Sequence, residues 1–270
     1  MTARPGTGIL DVARVDRRSV VRRAYATSPL RLLTPRNHGD AAWVYASSYG
    51  GGLVGGDALR LQISIAAGAV AFVSSQASTK VYRSHDHCSS HLDATVASGG
   101  HLVLWPDPVV CYAGSTFRQV QRVELAADAA LVLVDTMTSG RRASGERWQF
   151  VEYANQLSVT CDDRPILFDS TRLSGSEGDL AGRMGRFDVM SSVALVGTRY
   201  RPEIASIAAS IAARPIERQA DLLVSAAPVG DAGCLVRVLG RSIEPVSAAV
   251  RAYLSFLSRA LGDDPWARKW

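Results

Sequence analysis

From Leu59 onward apolar and polar residues alternate, with Leu59, Leu61, Ile63 and Ile65 on one side of an extended chain and Arg60, Gln62 and Ser64 on the other. Successive side chains of a strand point to opposite faces, so this period of two predicts a half-buried strand. Further short strands are expected at residues 69–73, 92–96, 102–105, 120–125, 131–134, 148–153 and 157–161, none with helical periodicity. Three stretches repeat one another loosely: ISIAAGAVAFVSSQ, ATVASGGHLVLWPD and VELAADAALVLVDT. In each, a strand ends, a small-residue turn (Ala67-Gly68, Ser98-Gly99, Ala127-Asp128) redirects the chain, and an apolar strand follows. Val96 stands 31 residues after Ile65, and Leu125 stands 29 after Val96. A recurrence of that length suits stacked β layers, each burying its face against the next, and hairpins of a sandwich are the alternative.

The pattern changes after residue 200. Pro202 opens a stretch in which Ile204, Ile207, Ala208 and Ile211 share one helical face. A second helix is expected from Pro245, with Val246, Val250, Tyr253 or Leu254, Leu257 and Leu261 as its buried stripe and Gly262 as its stop. Residues 221–224 and 234–239 read as returning strands between the helices. The expectation is a mainly β chain with two helices in its C-terminal half and no linker, hence one domain over residues 1–270.

Composition narrows the class. With 270 residues, 47% of them apolar, the chain has enough material for a proper core, which argues against a disordered adaptor. The net charge of +5 is almost wholly arginine, since Lys80 and Lys269 are the only lysines. Eight arginines fall within the first forty residues, at 4, 14, 17, 18, 22, 23, 31 and 36, but Tyr25 alone interleaves with them. A base-stacking nucleic-acid platform is poorly supported on that pattern, and a solvated basic N-terminal strand pair is expected. Cys88, Cys111, Cys161 and Cys234 are scattered without a CxxC pair, which reads as free thiols. Neither a signal peptide nor a membrane-length apolar run is visible, so a soluble cytoplasmic protein is expected.

Several segments carry chemistry. YGGGLVGGD (49–57) formally contains G-x-G-x-x-G at Gly50, Gly52 and Gly55, yet a strand rather than a helix N-terminus follows, so a phosphate cradle is not expected. The glycines predict a crowded inter-strand turn with Asp57 at its exit, as a turn cap or a functional carboxylate. In SSQASTKVYRS (74–84), Gln76, Ser78 and Lys80 are expected on one face, either ending a strand or lining a polar passage. His85, His87, Cys88 and His91 supply possible ligands for nickel or zinc within seven residues, though His-rich loops often bind nothing. Pro106 and Pro108 predict a rigid turn. In TSGRRASGERWQF (138–150), Arg141 and Glu146 are placed for a charge-assisted pair across a loop that could alternatively meet a partner. No G-x-S-x-G or H-E-x-x-H is present, so an enzyme has no positive support.

Taken in order, GGLVGGD (51–57), the strand ending in SSQASTKVYRS, LWPDPVVCYAGS (104–115) and GRRASGE (140–146) resemble the signature of the UreD family, called UreH in some bacteria. The terminal Arg268-Lys269-Trp270 is similar to that family's basic-aromatic end. The likeness runs from about Arg22 to the terminus. It departs in Ala46-Ser47-Ser48-Tyr49, where the family tends to have a proline, and in the HDHC insertion.

The resemblance implies two long sheets stacked in a flattened, β-helix-like wrap, with a pair of helices near the C-terminus. It implies a non-catalytic urease maturation scaffold that binds apo-urease, a helical UreF-like partner and a UreG-like GTPase. Such a chain would hold no permanent cofactor, contact neither nucleic acid nor membrane, and pass Ni²⁺ transiently through an internal water-filled passage. Under it Asp57, Gln76, Ser78, Lys80 and Glu146 are the passage candidates. Oxygen ligands release nickel more readily than a His/Cys cage, which ranks Asp57 above the histidine cluster. A β-rich enzyme using Asp57 and a histidine is the rival class.

Overall fold

The computed structural model describes residues 6–36, 39–215 and 217–266. Arg4 and the terminal Arg268-Lys269-Trp270 lie outside the described residues. Within them the strands are β1 (Gly6–Val15), β2 (Arg18–Ala26), β3 (Leu30–Leu33), β4 (Ala42–Ser48), β5 (Ala58–Ile65), β6 (Val70–Ser75), β7 (Thr79–Val81), β8 (Cys88–Val96) and β9 (His101–Leu104). They continue as β10 (Val109–Cys111), β11 (Thr116–Leu125), β12 (Ala130–Thr138), β13 (Glu152–Cys161), β14 (Arg164–Ser174), β15 (Val189–Val196), β16 (Leu222–Pro228) and β17 (Gly233–Gly240). The helices are α1 (Leu180–Met184), α2 (Arg201–Ala212), α3 (Ile243–Tyr253) and α4 (Leu257–Leu261).

The strands form two sheets. The first runs β14-β13-β11-β8-β5-β1-β2, and the second runs β16-β17-β15-β12-β9-β6-β4-β3 with β7 and β10 attached beyond β12. The three repeats stack in parallel and are not hairpins. Ile65 pairs with Val96 and Val96 with Leu125 in the first sheet, while Val70 pairs with His101 and His101 with Ala130 in the second. Each small-residue turn therefore hands the chain from one sheet to the other, which is how consecutive strands end up parallel to their predecessors. Gly68 and Gly99 take φ of +64°, a conformation open to glycine. The turns also bond to one another: Gly68 N–H donates to Ser98 O at 2.9 Å, and the Asp128 carboxylate accepts from Gly99 N–H at 2.9 Å and Ser98 Oγ–H at 3.0 Å.

Three apolar clusters result. One fills the space between the sheets with Leu10, Ile63, Val96, Leu125, Leu131, Leu133 and neighbours. A second lies between the other face of the second sheet and the helices, where Ile204, Ile207 and Ile211 of α2 and Val246, Val250, Leu254, Leu257 and Leu261 are buried as their stripes require. The third, with Leu53, Cys88, Phe117, Met137 and Tyr153, sits at the opposite end of the inter-sheet space.

Some expected boundaries differ. Residues 148–151 are not part of a strand. Trp148 sits at φ +55° with its indole N–H donating to Phe187 O at 3.1 Å, and pairing begins only at Glu152. The chain from Glu152 to Cys161 is then one strand rather than two. The last helix starts at Ile243, two residues before Pro245, and breaks into α3 and α4 although no glycine or proline marks the break. Its cause is tertiary packing. Leu257 N–H bonds back only three residues, to Leu254 O at 3.0 Å, and the tightened turn lets Phe256 pack on Tyr200 with ring centroids 4.9 Å apart. The basic N-terminal pair is as expected, with β1 and β2 antiparallel from Gly8↔Ala26 onward.

Candidate functional site

The glycine segment is a tight turn stitched to β7. Leu53 N–H donates to Lys80 O at 2.8 Å and Tyr82 N–H to Leu53 O at 2.9 Å, bringing the two backbones so close that a Cβ on Gly52 would lie 2.6 Å from Lys80 O. Asp57 closes this turn. Its Oδ2 accepts from Val54 N–H at 2.8 Å while its own N–H donates to Val54 O at 2.9 Å. Cys88 lies beneath, buried, with Sγ–H donating to Val54 O at 3.3 Å; burial, then the Asp57 charge, push its thiol up to about 11.

The HDHC segment does not converge. Cys88 faces the interior, whereas His91, three residues along the same strand, faces the opposite side, because odd separations change faces in a strand. His85 and His87 are exposed. Among the described residues no three His, Cys, Asp or Glu side chains are grouped to hold a metal. Gln76 and Lys80 are also exposed, and Ser78 is half-buried.

The Arg141–Glu146 pair forms as its spacing predicts. Arg141 Nε–H donates to Glu146 Oε2 at 3.1 Å, with a second, shorter contact from Nη2 to Oε1, and the guanidinium lies 4.1 Å from the Tyr112 ring centroid. Glu146 Oε2 also accepts from Ala113 N–H at 3.1 Å, and the bonds from Arg141 hold this carboxyl below its usual range. Asp188 anchors the same loop by accepting Arg147 at 2.6 Å and Arg142 at 3.1 Å.

What the structure adds is a polar layer inside the sandwich. The inward-facing positions of β11 read Leu125, Val123, Gln121, Gln119, Phe117, and those of β12 read Leu131, Leu133, Asp135, Met137. On β13 they read Val159, Leu157, Asn155, Tyr153. Gln119, Gln121, Asp135 and Asn155 thus interrupt an apolar interior at one level. Asp135 is 8% exposed. Its Oδ1 accepts from Gln119 Nε2–H at 3.0 Å; its Oδ2 accepts from Asn155 Nδ2–H at 3.0 Å and from Gln121 Nε2–H. Burial raises the Asp135 pKa, and these amide bonds, led by Gln121, oppose the rise.

A row of cavities borders this layer. The central one, of about 140 Å³, is lined by Gln119, Gln121, Asp135, Ser75 and Ser90 among apolar neighbours. An outer one of about 100 Å³ shares Leu30, Leu59, Ser75 and Thr79 with it and reaches Ser48, Gly51 and Ser78 beside the glycine turn. On the inner side a cavity of about 70 Å³ also touches Asp135 and extends to Thr136 and Asp107. Beyond those two residues a further 70 Å³ lies under Trp105, Arg251 and Trp266 on the helix side of the second sheet.

The two prolines explain how cavities can occur on both faces of that sheet. β12 pairs with β9 up to Leu133↔Leu104 and with β10 only from Met137↔Val109. Between them Trp105-Pro106-Asp107-Pro108 leaves the ladder, since Pro cannot donate to it, and a window opens beside Asp135 and Thr136. On the side away from β12, Asp107 is tied to Ser75, whose Oγ accepts from Asp107 N–H at 2.7 Å and lies 3.1 Å from Asp107 Oδ2.

Of the residues proposed from sequence, Ser78 borders the outer cavity, while Asp57, Gln76, Lys80 and Glu146 lie outside these four cavities. The sequence pattern does not bring the polar layer together: Gln121 lies inside the expected strand 120–125, but Gln119, Asp135 and Asn155 fall just outside the expected strands 120–125, 131–134 and 157–161. Extending the alternation two residues further would have put each of them in the inward phase.

The family model described as UreD urease accessory protein matches residues 4–270. The urease accessory protein UreD of Sorangium cellulosum is 50% identical over 98% of this chain and 84% of that protein. UreD of Anaeromyxobacter sp. strain Fw109-5 is 41% identical over 98% of this chain and 90% of its own, and urease accessory protein D of Arabidopsis thaliana is 30% identical over 97% and 99%. With a match of that extent, the chain belongs to the UreD family of urease accessory proteins.

Proposed function

We propose that this chain is a non-catalytic scaffold in urease maturation, binding the urease apoprotein together with UreF-like and UreG-like partners and conducting Ni²⁺ as cargo through its own interior in the cytoplasm. The observation that carries the reading is the polar layer at Asp135, flanked by cavities toward the glycine turn on one side and the proline window on the other. Burying a carboxylate and two amides, with the half-buried Gln119 beside them, opposes folding unless every buried group is bonded, at roughly 1–3 kcal/mol for each one left unsatisfied. A sandwich built only for stability has no use for such a layer, whereas a cation crossing between the sheets needs oxygen atoms and water along its way.

On this reading Ser78 belongs to the entrance beside the glycine turn, and Asp57 keeps that turn in shape. Gln76, Lys80 and Glu146 act from the rim or the adjoining loop. No resident cofactor is required, and GTP hydrolysis belongs to the UreG-like partner. The direct test is co-expression of a urease operon with and without this chain under limiting nickel, with pull-down of the UreF-like partner in parallel. Activation that depends on the chain is expected; full urease activity in its absence would refute the maturation role.

A further inference from the structure

The cluster around Asp135 has an unusual donor balance. Gln119 and Gln121 stand two apart on β11, and Asn155 is the register partner of Gln119 on β13. Each glutamine amide nitrogen donates twice, once to Asp135 and once to Asn155 Oδ1 at 3.3 Å. Asn155 Nδ2 completes the set by donating to Asp135. In this arrangement the carboxylate accepts from three amide N–H groups, which suits an anion and repels an arriving cation.

Primary amides need not stay that way. Each carries a carbonyl oxygen on the same planar group as its NH₂, and a half-turn about the last side-chain torsion exchanges the two with almost no change in shape or volume. The central cavity of about 140 Å³ against these side chains leaves room for that turn and for several waters.

We propose that Gln119, Gln121 and Asn155 form a rotatable amide collar, donating to Asp135 when no cation is present and turning their oxygens inward to ligate a divalent cation beside it. The inference deepens the passage reading and rests on it. One carboxylate with neutral amide oxygens and water is a weak, oxygen-only ligand set, and no nitrogen or sulfur ligand in it would hold a borderline ion such as Ni²⁺ against release. The collar also keeps the buried carboxylate bonded between ions, so the layer tolerates being empty of cargo.

Equilibrium dialysis of the purified full-length chain against radioactive Ni²⁺ tests this, with thermal melts to certify folding of every variant. Asp135→Asn is expected to weaken interior Ni²⁺ binding at least ~10-fold, and Asn155→Leu or Gln119→Met to weaken it by ~10-fold through loss of a ligand oxygen. Gln121→Glu, which replaces a rotating amide by a second carboxylate, is expected to tighten binding and slow release. If Asp135→Asn loses binding while Gln119→Met, Asn155→Leu and Gln121→Glu all bind as the unaltered chain does, the collar is wrong and the passage stands. If Asp135→Asn binds Ni²⁺ normally and still supports full urease activation, the passage reading itself falls. Should a variant fail to fold, titration of the unaltered ¹⁵N-labelled chain with diamagnetic Zn²⁺ decides the matter. The side-chain NH₂ resonances of Gln119, Gln121 and Asn155 are expected to shift together, and unmoved resonances at saturating Zn²⁺ would overturn the collar.

Discussion

Along β11, β12 and β13 the same inward-facing rows begin apolar, at Leu125, Val123, Leu131, Leu133, Val159 and Leu157, and turn polar at Gln121, Gln119, Asp135 and Asn155 before becoming apolar again at Phe117, Met137 and Tyr153. The strands are shared and β11 and β13 keep one register through both levels, so along them the two levels differ in side-chain chemistry; on β12 the polar level also loses its ladder partner between Leu104 and Val109. The apolar level is held by burial, at roughly 1.5–3 kcal/mol for each fully buried aliphatic side chain. The polar level contributes little of that kind. Its bonds mainly offset the cost of removing the same groups from water. The backbone layers are therefore set by the apolar rows on both sides, which leaves the intervening row free to carry function.

Altering one row at a time separates the two levels. Leu133→Ala, at the apolar level, is expected to lower unfolding stability by ~2–5 kcal/mol, read by denaturant titration. Asp135→Asn, one inward step further along the same strand, is expected to change it by less than ~1.5 kcal/mol, about the worth of one neutral hydrogen bond. Equal losses at the two positions would mean that the polar layer is itself a main support of the fold.

A second contrast concerns titration. His101, fully buried on β9, has Tyr200 Oη 2.6 Å from Nε2, and burial, with Arg199 adding to it, pushes its pKa down to about 3. The unfolded chain takes up a proton near the ordinary value of ~6.5 while the folded chain does not, so stability is lost as pH falls between those values, by up to ~1.4 kcal/mol per pH unit. His101→Gln is expected to flatten that acid limb in melts between pH 7 and pH 4. Asp135 behaves in the opposite sense. Its folded pKa is raised, so the wild-type chain loses stability relative to Asp135→Asn as pH rises through the carboxylate range, and the two melting curves should diverge toward neutral pH. The smallest expected effect is at the rim. Asp57→Ala removes the acceptor of Val54 N–H and is expected to cost ~1 kcal/mol, with activation retained if the residue serves only the turn.

Much of the fold could be read from periodicity and small-residue turns. The spacing from Ile65 to Val96 and on to Leu125 turned out to be the strand register itself. The split between α3 and α4 could not be read, because it depends on Phe256 meeting Tyr200 and no breaker residue stands there. At the site the legible parts were local: the Asp57 turn, the Arg141–Glu146 pair and the rigidity of the two prolines. Convergence was not legible. The histidine segment looked dense in one dimension, but strand alternation sends Cys88 and His91 to opposite faces. Asp135, Gln119 and Asn155 looked ordinary, yet parallel stacking brings residues from three separate strands to one level. The proline segment was legible as a turn; that it opens a window beside Asp135 depends on where β9 stops and β10 begins.

On the proposed reading the polar level serves ion transit while the apolar level serves the fold. Urease activation at limiting nickel by complexes containing the Asp135→Asn chain, normalised to the amount of complex assembled, tests this division. Activation reduced at least ~10-fold, with assembly and melting temperature near those of the unaltered chain, is the predicted result. Full activation by that complex would contradict the claim.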